Sequence, residues 1–489
     1  MLTNMHGYEI ATSFLLAMTI LYLNMKAYLL FTSMLIASSS FAQQMKMDTT
    51  KKKSSSTMDM DGMDMGDMKM NKTKPMTMNS QYSLDIPMSR DGSGTSWVPD
   101  ETPSYAYMVP TGNGWMTMIH GSFFARYENQ DLFKQGSRGG KQFDVPDWIM
   151  AMTQHKVGSG GLFSVNTMFS FDPFLVGPGG YPLLYQTGES YKGKKLVDDQ
   201  HPHDLFAELG VNYTQKIAND ADLSFSFGDP GEPALGPPVF MHRLSAMNDP
   251  DAPLGHHYQD ATHITFGVAT LGLRISNVKL EGSIFTGREP DEFRYNFDAM
   301  RFDSYSIRLS YNPSKEWALQ VSNGWIKSPE VADPLQNVDR FTASAIHTKM
   351  LNEDSYIAST LVYGQNHYSD NQKTLPSILL ENALQWHKVA IYDRYEYVSK
   401  DADELDLTGE FPANPNFNIN AITLGVNRIF STFKQTNITG GVQVTANISP
   451  TALRPLYGSA PVGFEVYIRI NPALMKMKKS GNKMDGMDM

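Results

Sequence analysis

Cysteine is absent from the 489-residue chain, so no disulfide can hold its fold together. An oxidising compartment makes that absence convenient, because no stray thiol can mispair there. Positive charge is also scarce: 41 lysines and arginines are outnumbered by 51 acidic residues, and the net charge is −10. Nucleic acid requires a basic surface, so the charge balance argues against a nucleic-acid partner.

Catalytic motifs are missing as well. The chain contains no G-x-G-x-x-G, P-loop or zinc-protease motif. Ser245 and Ser283 lie near histidines in the sequence, but no G-x-S-x-G nucleophile elbow surrounds either serine. The sequence therefore predicts that the protein is not an enzyme, and an outer-membrane lipid hydrolase is the less favoured alternative.

A secretory signal peptide is predicted at residues 1–42. The apolar stretch 27–37 follows Lys26, is too short for a membrane span, and precedes the small-x-small cleavage site Ser40-Phe41-Ala42. Met25 is the better start of translation, although the apolar residues 10–23 could instead lengthen the signal. The alternative is an N-terminal membrane anchor.

From about residue 115 the apolar side chains recur at every second position. In DSYSIRLSYN, for example, Tyr305, Ile307 and Leu309 share one face, and polar side chains take the other. A period of two predicts strands with one apolar and one polar face. Long strands of this kind with aromatic residues near their ends are typical of transmembrane barrels. Such aromatic residues are Trp115, Trp317, Trp325, Tyr356, Tyr392 and Tyr397.

The predicted fold class is all-β: a transmembrane antiparallel β-barrel of about 16 strands with disordered methionine-rich N- and C-terminal tails. The predicted strands lie at 115–127, 148–156, 161–171, 204–216, 221–229, 261–275, 278–287, 303–312, 315–325, 340–350, 354–365, 376–387, 389–398, 418–430, 437–449 and 462–471. Short and long connections alternate between them. Outer-membrane barrels have short periplasmic turns and long external loops, so both termini are expected in the periplasm.

Methionine is concentrated outside the predicted barrel (residues 101–472). Of 31 methionines, ten lie within 45–78 and five within 475–489, and the hexapeptide MDGMDM occurs in both regions. The predicted tails are a disordered Met/Asp-rich periplasmic segment and linker at 43–100 and a second periplasmic tail at 473–489. Soft thioether sulfur selects Cu(I) and, by the same softness, Ag(I). The candidate Cu(I) ligands are Met58, Met60, Met63, Met65, Met68, Met70, Met484, Met487 and Met489. The alternative is a low-complexity linker that binds nothing.

This layout of signal peptide, Met/Asp-rich segment and barrel resembles the outer-membrane copper resistance proteins of Gram-negative bacteria. Those proteins often mix histidine into the tail, whereas this tail has none. The barrel segments HPHD, GPPVFMHRLSA, APLGHH, DATH and EGSIFTGREPDE resemble a set of uncharacterised outer-membrane barrel proteins, and that likeness implies no activity.

Six of the twelve histidines fall between residues 201 and 263, in consecutive predicted external loops that can fold inward. Imidazole and carboxylate groups there are candidate ligands of Cu(II) or Zn(II) at the mouth of the barrel. The candidates are His201, His203, His242, His256, His257, Asp260 and His263. The alternative is that these histidines only form hydrogen bonds within a constriction.

The sequence favours an outer-membrane barrel that handles copper(I) or silver, with copper as its only expected cofactor. The first alternative is a general porin or solute channel with incidental tails. The expected partners are metal ions, outer-membrane lipid and lipopolysaccharide, with periplasmic copper proteins as further candidates.

Overall fold

The structure is a computed structural model that describes residues 79–475. The predicted signal peptide and all the candidate copper ligands of the two tails lie outside the described residues.

Strands are the main regular structure of the described chain. The twenty strands are β1 (Tyr107–Gly112), β2 (Trp115–Asn129), β3 (Lys141–Asp144), β4 (Asp147–Val157), β5 (Gly161–Phe169), β6 (Tyr181–Tyr191), β7 (Lys194–Gln200), β8 (Phe206–Ala218), β9 (Ala221–Gly228), β10 (Val268–Ile275), β11 (Val278–Phe285), β12 (Ser304–Ser314), β13 (Trp317–Lys327), β14 (Asn337–Met350), β15 (Tyr356–Tyr368), β16 (Thr374–Trp386), β17 (Val389–Asp401), β18 (Asn416–Phe433), β19 (Thr436–Ile448) and β20 (Val462–Pro472). Three four-residue helices are α1 (Asp172–Leu175), α2 (His256–Gln259) and α3 (Arg454–Tyr457), and 3-10 turns occur at Met88–Arg90, Phe240–His242, Ala261–His263 and Thr451–Leu453. Within residues 79–475, no helix is long and apolar enough to cross a membrane.

Sixteen strands close into one antiparallel barrel. The ring runs through β2, β4, β5 and β8 to β20 in chain order. β20 returns to pair with β2, with Ile470 opposite Phe123 and Phe464 opposite Asn129. β1 and β3 each add a short pairing to β2, while β6 and β7 form a separate hairpin in the long connection before β8. The predicted antiparallel barrel of 16 strands is therefore confirmed.

All sixteen predicted strands occur, and one of them starts much later than expected. β10 begins at Val268, so the prediction of a strand from residue 261 is wrong over its first seven residues. Ala261–His263 forms a 3-10 turn, and Gly267 adopts a φ of +86° that breaks the extended backbone. His263 therefore belongs to a connection between strands and not to a strand.

The barrel has an apolar outer surface and a polar inner surface. Tyr305 and Ile307 of β12 point outward and are 60% and 53% exposed, whereas the next residue, Arg308, points inward and is fully buried. Apolar side chains facing outward over a closed ring are suited to lipid. Two aromatic residues expected near the lipid boundary, Tyr356 and Tyr392, are instead buried, and their hydroxyl groups pair with Tyr105 and Tyr467 inside the barrel.

Short turns and longer loops alternate between the two ends of the barrel. The link between β10 and β11 consists of Ser276 and Asn277, whereas the connection from β9 to β10 contains 39 residues. The ring starts at Trp115 and ends at Pro472, and both positions lie at the end with the short turns. The chain segments that lead into and out of the barrel therefore share that end.

Two long segments are among those that fold into the lumen. The first, the N-terminal plug (residues 79–105), includes part of the predicted linker 43–100, but its described residues are folded against the wall. The Thr214 hydroxyl donates to the Gln81 carbonyl at 3.1 Å, and the Asn312 side chain donates to the Val98 carbonyl at 3.0 Å. These contacts tie the plug to two parts of the wall that are four strands apart, because Thr214 belongs to β8 and Asn312 to β12.

The second segment, the lumen loop (residues 229–267), connects β9 to β10 and crosses the barrel interior. Asp251 pairs with Arg126 of β2 at 2.5 Å, and Asp249 pairs with Arg394 of β17 at 3.0 Å. Arg243 of the loop pairs with Glu381 of β16 at 3.0 Å. Buried ion pairs hold their geometry because an unpaired charge in a low-dielectric interior is costly. The inward folding expected of this loop is therefore observed, and it fills the lumen.

Candidate metal centre

Five of the predicted ligands meet at one point in the lumen. His201 and His203 follow β7, His256 and His257 lie in α2, and His263 lies in the next 3-10 turn. Their ring centroids are 5.3 Å apart for His201 and His257, 5.1 Å for His256 and His263, and 5.4 Å for His203 and His263. We call these five residues the histidine centre. Two consecutive long connections build it together, and His203 and His256 are more than fifty residues apart in the sequence.

Carboxylates orient the rings of the centre. Nδ1 of His203 lies 2.7 Å from Oδ2 of Asp172, and Nδ1 of His256 lies 2.6 Å from Oδ1 of Asp260. An ionised carboxylate can only accept a hydrogen bond, so Nδ1 carries the hydrogen in both rings. The remaining nitrogen, Nε2, then keeps its lone pair and is free to bind a metal.

The other three rings have acceptors at Nδ1 as well. Nδ1 of His257 lies 3.4 Å from Glu289, and Nδ1 of His201 lies 3.2 Å from Glu189. Nδ1 of His263 lies 3.0 Å from the backbone carbonyl of Asp260. All five rings thus have an oxygen atom within 3.4 Å of Nδ1.

The Nε2 atoms of all five histidines are buried and have no hydrogen-bond partner among the described residues. Leaving a buried polar atom unpaired is costly, and such an atom in a native fold calls for an explanation such as a bound ion. Ligand nitrogens of His201, His256 and His257 lie within 4.8 Å of one another. Small side-chain rotations would bring them to the separations that a shared metal ion with bonds of about 2.0–2.1 Å requires.

Burial disfavours the charged form of three of the five rings. The pKa values of His201, His256 and His263 are lowered, chiefly because burial disfavours the imidazolium form, and neighbouring histidines add to the effect. Burial would raise the pKa of Asp260, but Arg243 and His256 together hold it below its ordinary value. Neutral imidazoles beside the ionised carboxylate of Asp260 favour the binding of a cation.

Close backbone approaches make room for these rings. A Cβ on Gly188, which has a φ of +114°, would lie 2.3 Å from the His257 ring. A Cβ on Gly364 of β15 would lie 2.4 Å from the Tyr258 carbonyl of α2. Glycine at both positions therefore lets the β6–β7 hairpin and β15 of the wall approach the helix α2, which carries His256 and His257.

Two predicted ligands have other roles. His242 makes no ring contact with the five histidines and instead packs against Trp148 and His120, at centroid distances of 4.5 and 5.4 Å. Asp260 uses one oxygen for His256 and the other for Arg243 at 2.6 Å, so its contacts in this structure orient a histidine and pair with an arginine. The orienting residues Asp172, Glu189 and Glu289 were not predicted, because nothing local in the sequence links them to a histidine far along the chain.

The serines considered for lipid hydrolysis have no histidine partner in the described part of the chain. Ser245 Oγ lies 2.7 Å from the Thr360 hydroxyl and 3.2 Å from Glu381. Ser283 Oγ accepts a hydrogen bond from the Ala234 amide at 2.8 Å and lies 2.6 Å from the Thr270 hydroxyl. Both serines thus fasten the lumen loop to the wall.

No protein-family model and no curated protein matches the chain. Among solved structures, it is similar to a loop-deletion mutant of OmpT from Vibrio cholerae at 11% identity, covering 73% of this chain and 100% of that one, with a TM-score of 0.43. It is also similar to Salmonella typhi OmpF in complex with daunomycin (10% identity, 75% and 100% covered, TM-score 0.46) and to an anion-selective porin from Comamonas acidovorans (10%, 73% and 99%, 0.42).

These sequence identities and TM-scores do not indicate an activity. The barrel fold is shown by the closed ring of hydrogen-bonded strands. The comparisons give no support to the resemblance to copper resistance proteins. The chain is a closed sixteen-strand barrel whose structural neighbours are outer-membrane β-barrel proteins.

Proposed function

We propose that this protein is an outer-membrane barrel of a Gram-negative bacterium that binds a transition-metal cation inside its lumen. One observation carries the proposal: the five Nε2 atoms of the histidine centre are buried and unpartnered, while their Nδ1 atoms are held by oxygen acceptors. Histidine that donates its second nitrogen to a carboxylate or carbonyl is the usual arrangement around a protein-bound metal.

The chemistry of the centre favours Cu(II) or Zn(II). Both ions accept imidazole nitrogen, whereas hard ions such as Mg²⁺ and Ca²⁺ prefer oxygen ligands. Burial disfavours the protonated form of His201, His256 and His263, so a metal ion meets little competition from protons at these three rings. The surrounding carboxylates of Asp172, Asp260 and Glu289 offset the charge of the ion.

In this proposal the short-turn end faces the periplasm and both termini lie there. Short periplasmic turns and longer external loops in other outer-membrane barrels support the orientation. Capture of Cu(I) or Ag(I) by the tail methionines remains a prediction from composition, and it is separate from the histidine centre.

A general solute channel is the second candidate. Sixteen-strand barrels of outer-membrane porins enclose an aqueous channel, and this chain closes with the same strand number. The N-terminal plug and the lumen loop fill that space here, so conduction would require them to move. Planar-bilayer recording tests this candidate: steady ionic conductance of the full chain without added metal would favour it.

Zinc titration of the purified full chain in detergent tests the metal proposal. Zn(II) is a suitable probe because it binds imidazole, while thioether tails prefer softer ions. We expect one tight Zn(II) per chain, and loss of it in the double variant His201→Gln/His256→Gln. The matched control is His367→Gln/His387→Gln, which alters two histidines outside the lumen. Equal zinc stoichiometry in the two variants would refute the proposal.

A further inference from the structure

A cavity beside the histidine centre has different chemistry. It has a volume of about 170 Å³ and is lined by residues of the N-terminal plug, the lumen loop, β2 and β4. We call it the methionine cavity, after the methionines in its lining: Met88, Met118, Met152, Met241 and Met247. His203 and Asp172 also line it, so the cavity adjoins the histidine centre.

The barrel wall beside the cavity differs from the rest of the wall in the residues at its inward positions. Inward positions on other strands carry charged side chains such as Arg308 and Glu381. On β2, β4 and β5 several inward positions carry buried methionines, at Met118, Met150, Met152 and Met168, although β2 also carries the inward Arg126 further along the strand. These belong to a cluster of twelve side chains that includes eight methionines and only one branched aliphatic residue, Ile264. An ordinary apolar contact would use leucine, isoleucine and valine, whose rotamers are better defined.

Two histidines and a tryptophan complete the cavity. Nε2 of His120 is buried without a hydrogen-bond partner among residues 79–475. His242, which the sequence grouped with the histidine centre, has its ring 4.5 Å from that of Trp148 and 5.4 Å from that of His120. The electron-rich face of an indole attracts a cation and excludes water from it.

Two carboxyl groups lie close by. Asp147 and Asp172 both line the cavity, and Oδ2 of Asp147 is buried with no hydrogen-bond partner among the described residues. Thioether and imidazole ligands are neutral, so a bound cation needs such carboxylates to offset its charge.

We propose that the methionine cavity binds one soft monovalent cation, Cu(I) or Ag(I), through the thioethers of Met118, Met152 and Met241 and the imidazole of His242. Thioether sulfur selects Cu(I) over harder divalent ions, and a single imidazole adds a stronger donor. The ligands lie on the wall strands and on the lumen loop, so the ion would join the two. This proposal goes beyond the histidine centre, because its ligands and its ion are different.

Silver titration tests the proposal, because Ag(I) is soft and stable in air. The background is the full chain with the tail methionines within 45–78 and 477–489 replaced by serine, which removes competing thioethers. We expect one tight Ag(I) per chain, quenching of Trp148 fluorescence, and at least tenfold weaker binding after Met118→Leu/Met152→Leu/Met241→Leu. Leucine nearly conserves the volume of methionine, so the barrel should keep its packing.

The matched control is Met300→Leu/Met350→Leu, which alters methionines outside the cavity and should leave silver affinity unchanged. Trp148→Phe should abolish the quenching but preserve the stoichiometry. Unchanged Ag(I) affinity in the triple variant would overturn the proposal. Zinc binding measured on the same samples reports the histidine centre separately, so failure of one site is distinguishable from failure of the other.

Discussion

Nδ1 of His256 lies 2.6 Å from Oδ1 of Asp260, four residues further along the chain, and Oδ2 of the same carboxylate lies 2.6 Å from Arg243. One buried carboxylate thus orients a candidate metal ligand and joins it to an arginine that is itself paired with Glu381 of the wall. The histidine centre and the position of the lumen loop therefore depend on each other.

Asp260→Asn should weaken zinc binding by about 10–100-fold, the usual cost of losing a residue that orients a ligand. The amide keeps the shape of the side chain but removes its charge, so His256 loses its fixed tautomer. The control is Asp354→Asn, because Asp354 pairs with the exposed His387 at 2.7 Å in a similar contact outside the lumen. Equal zinc affinity for the two variants would show that Asp260 does not orient a ligand.

Gly188→Ala should also weaken zinc binding, because the new Cβ would lie 2.3 Å from the His257 ring. Gly193→Ala separates this steric effect from backbone strain. Gly193 has a φ of +72° in the same hairpin, and a Cβ there meets no atom within 4 Å. Isothermal titration of both variants should show a loss only for Gly188→Ala; a similar loss for both would mean that strain, not contact with His257, is responsible.

Arg243→Met should destabilise the barrel by about 3–5 kcal/mol, since it leaves the buried carboxylates of Glu381 and Asp260 without their shared cation. Guanidinium unfolding in lipid vesicles measures the change. Arg428→Met is the control, because Arg428 is exposed and forms no ion pair among the described residues. Arg243→Met should also raise the conductance of the barrel in planar bilayers, because the ion pair with Glu381 keeps the lumen loop in place. An unchanged current would argue against that role of the ion pair.

An epitope tag at the C-terminus should be inaccessible to antibody on intact cells and accessible after the outer membrane is permeabilised. The prediction follows from the short-turn end, where β20 terminates, facing the periplasm. A tag inserted after Gly409, in the long connection between β17 and β18, is the control and should be labelled on intact cells. Labelling of the C-terminal tag on intact cells would contradict the proposed orientation and place the short-turn end outside the cell.

The strands were predictable because each carries its own alternating pattern. Tyr305, Ile307 and Leu309 alternate with polar residues whatever the rest of the chain does, and a lipid-facing surface demands that alternation. The late start of β10 at Val268 was not predictable, because Ile264 and Phe266 continue the same pattern although they are buried in the lumen loop. Alternation alone does not distinguish a wall strand from an extended segment inside the barrel.

The histidines were predictable only as residue types in neighbouring loops. Their grouping could be anticipated from their density between 201 and 263, but the separation of His242 from the other five could not. Asp172 and Glu289, which orient His203 and His257, lie 31 and 32 residues away from them along the chain. No local pattern connects residues at such distances.

The amino-acid sequence by itself determined a closed barrel with sixteen strands, their alternating faces and the alternation of turns and loops, because these follow from periodicity within short stretches. Only the tertiary structure decided that the N-terminal plug and the lumen loop fill the barrel and that five imidazoles converge there. Those features depend on buried ion pairs such as Arg126 with Asp251 and Arg243 with Glu381, which join residues more than a hundred positions apart. Closure of the ring places strands that are distant in the sequence around one interior, and this determines which charged residues can pair.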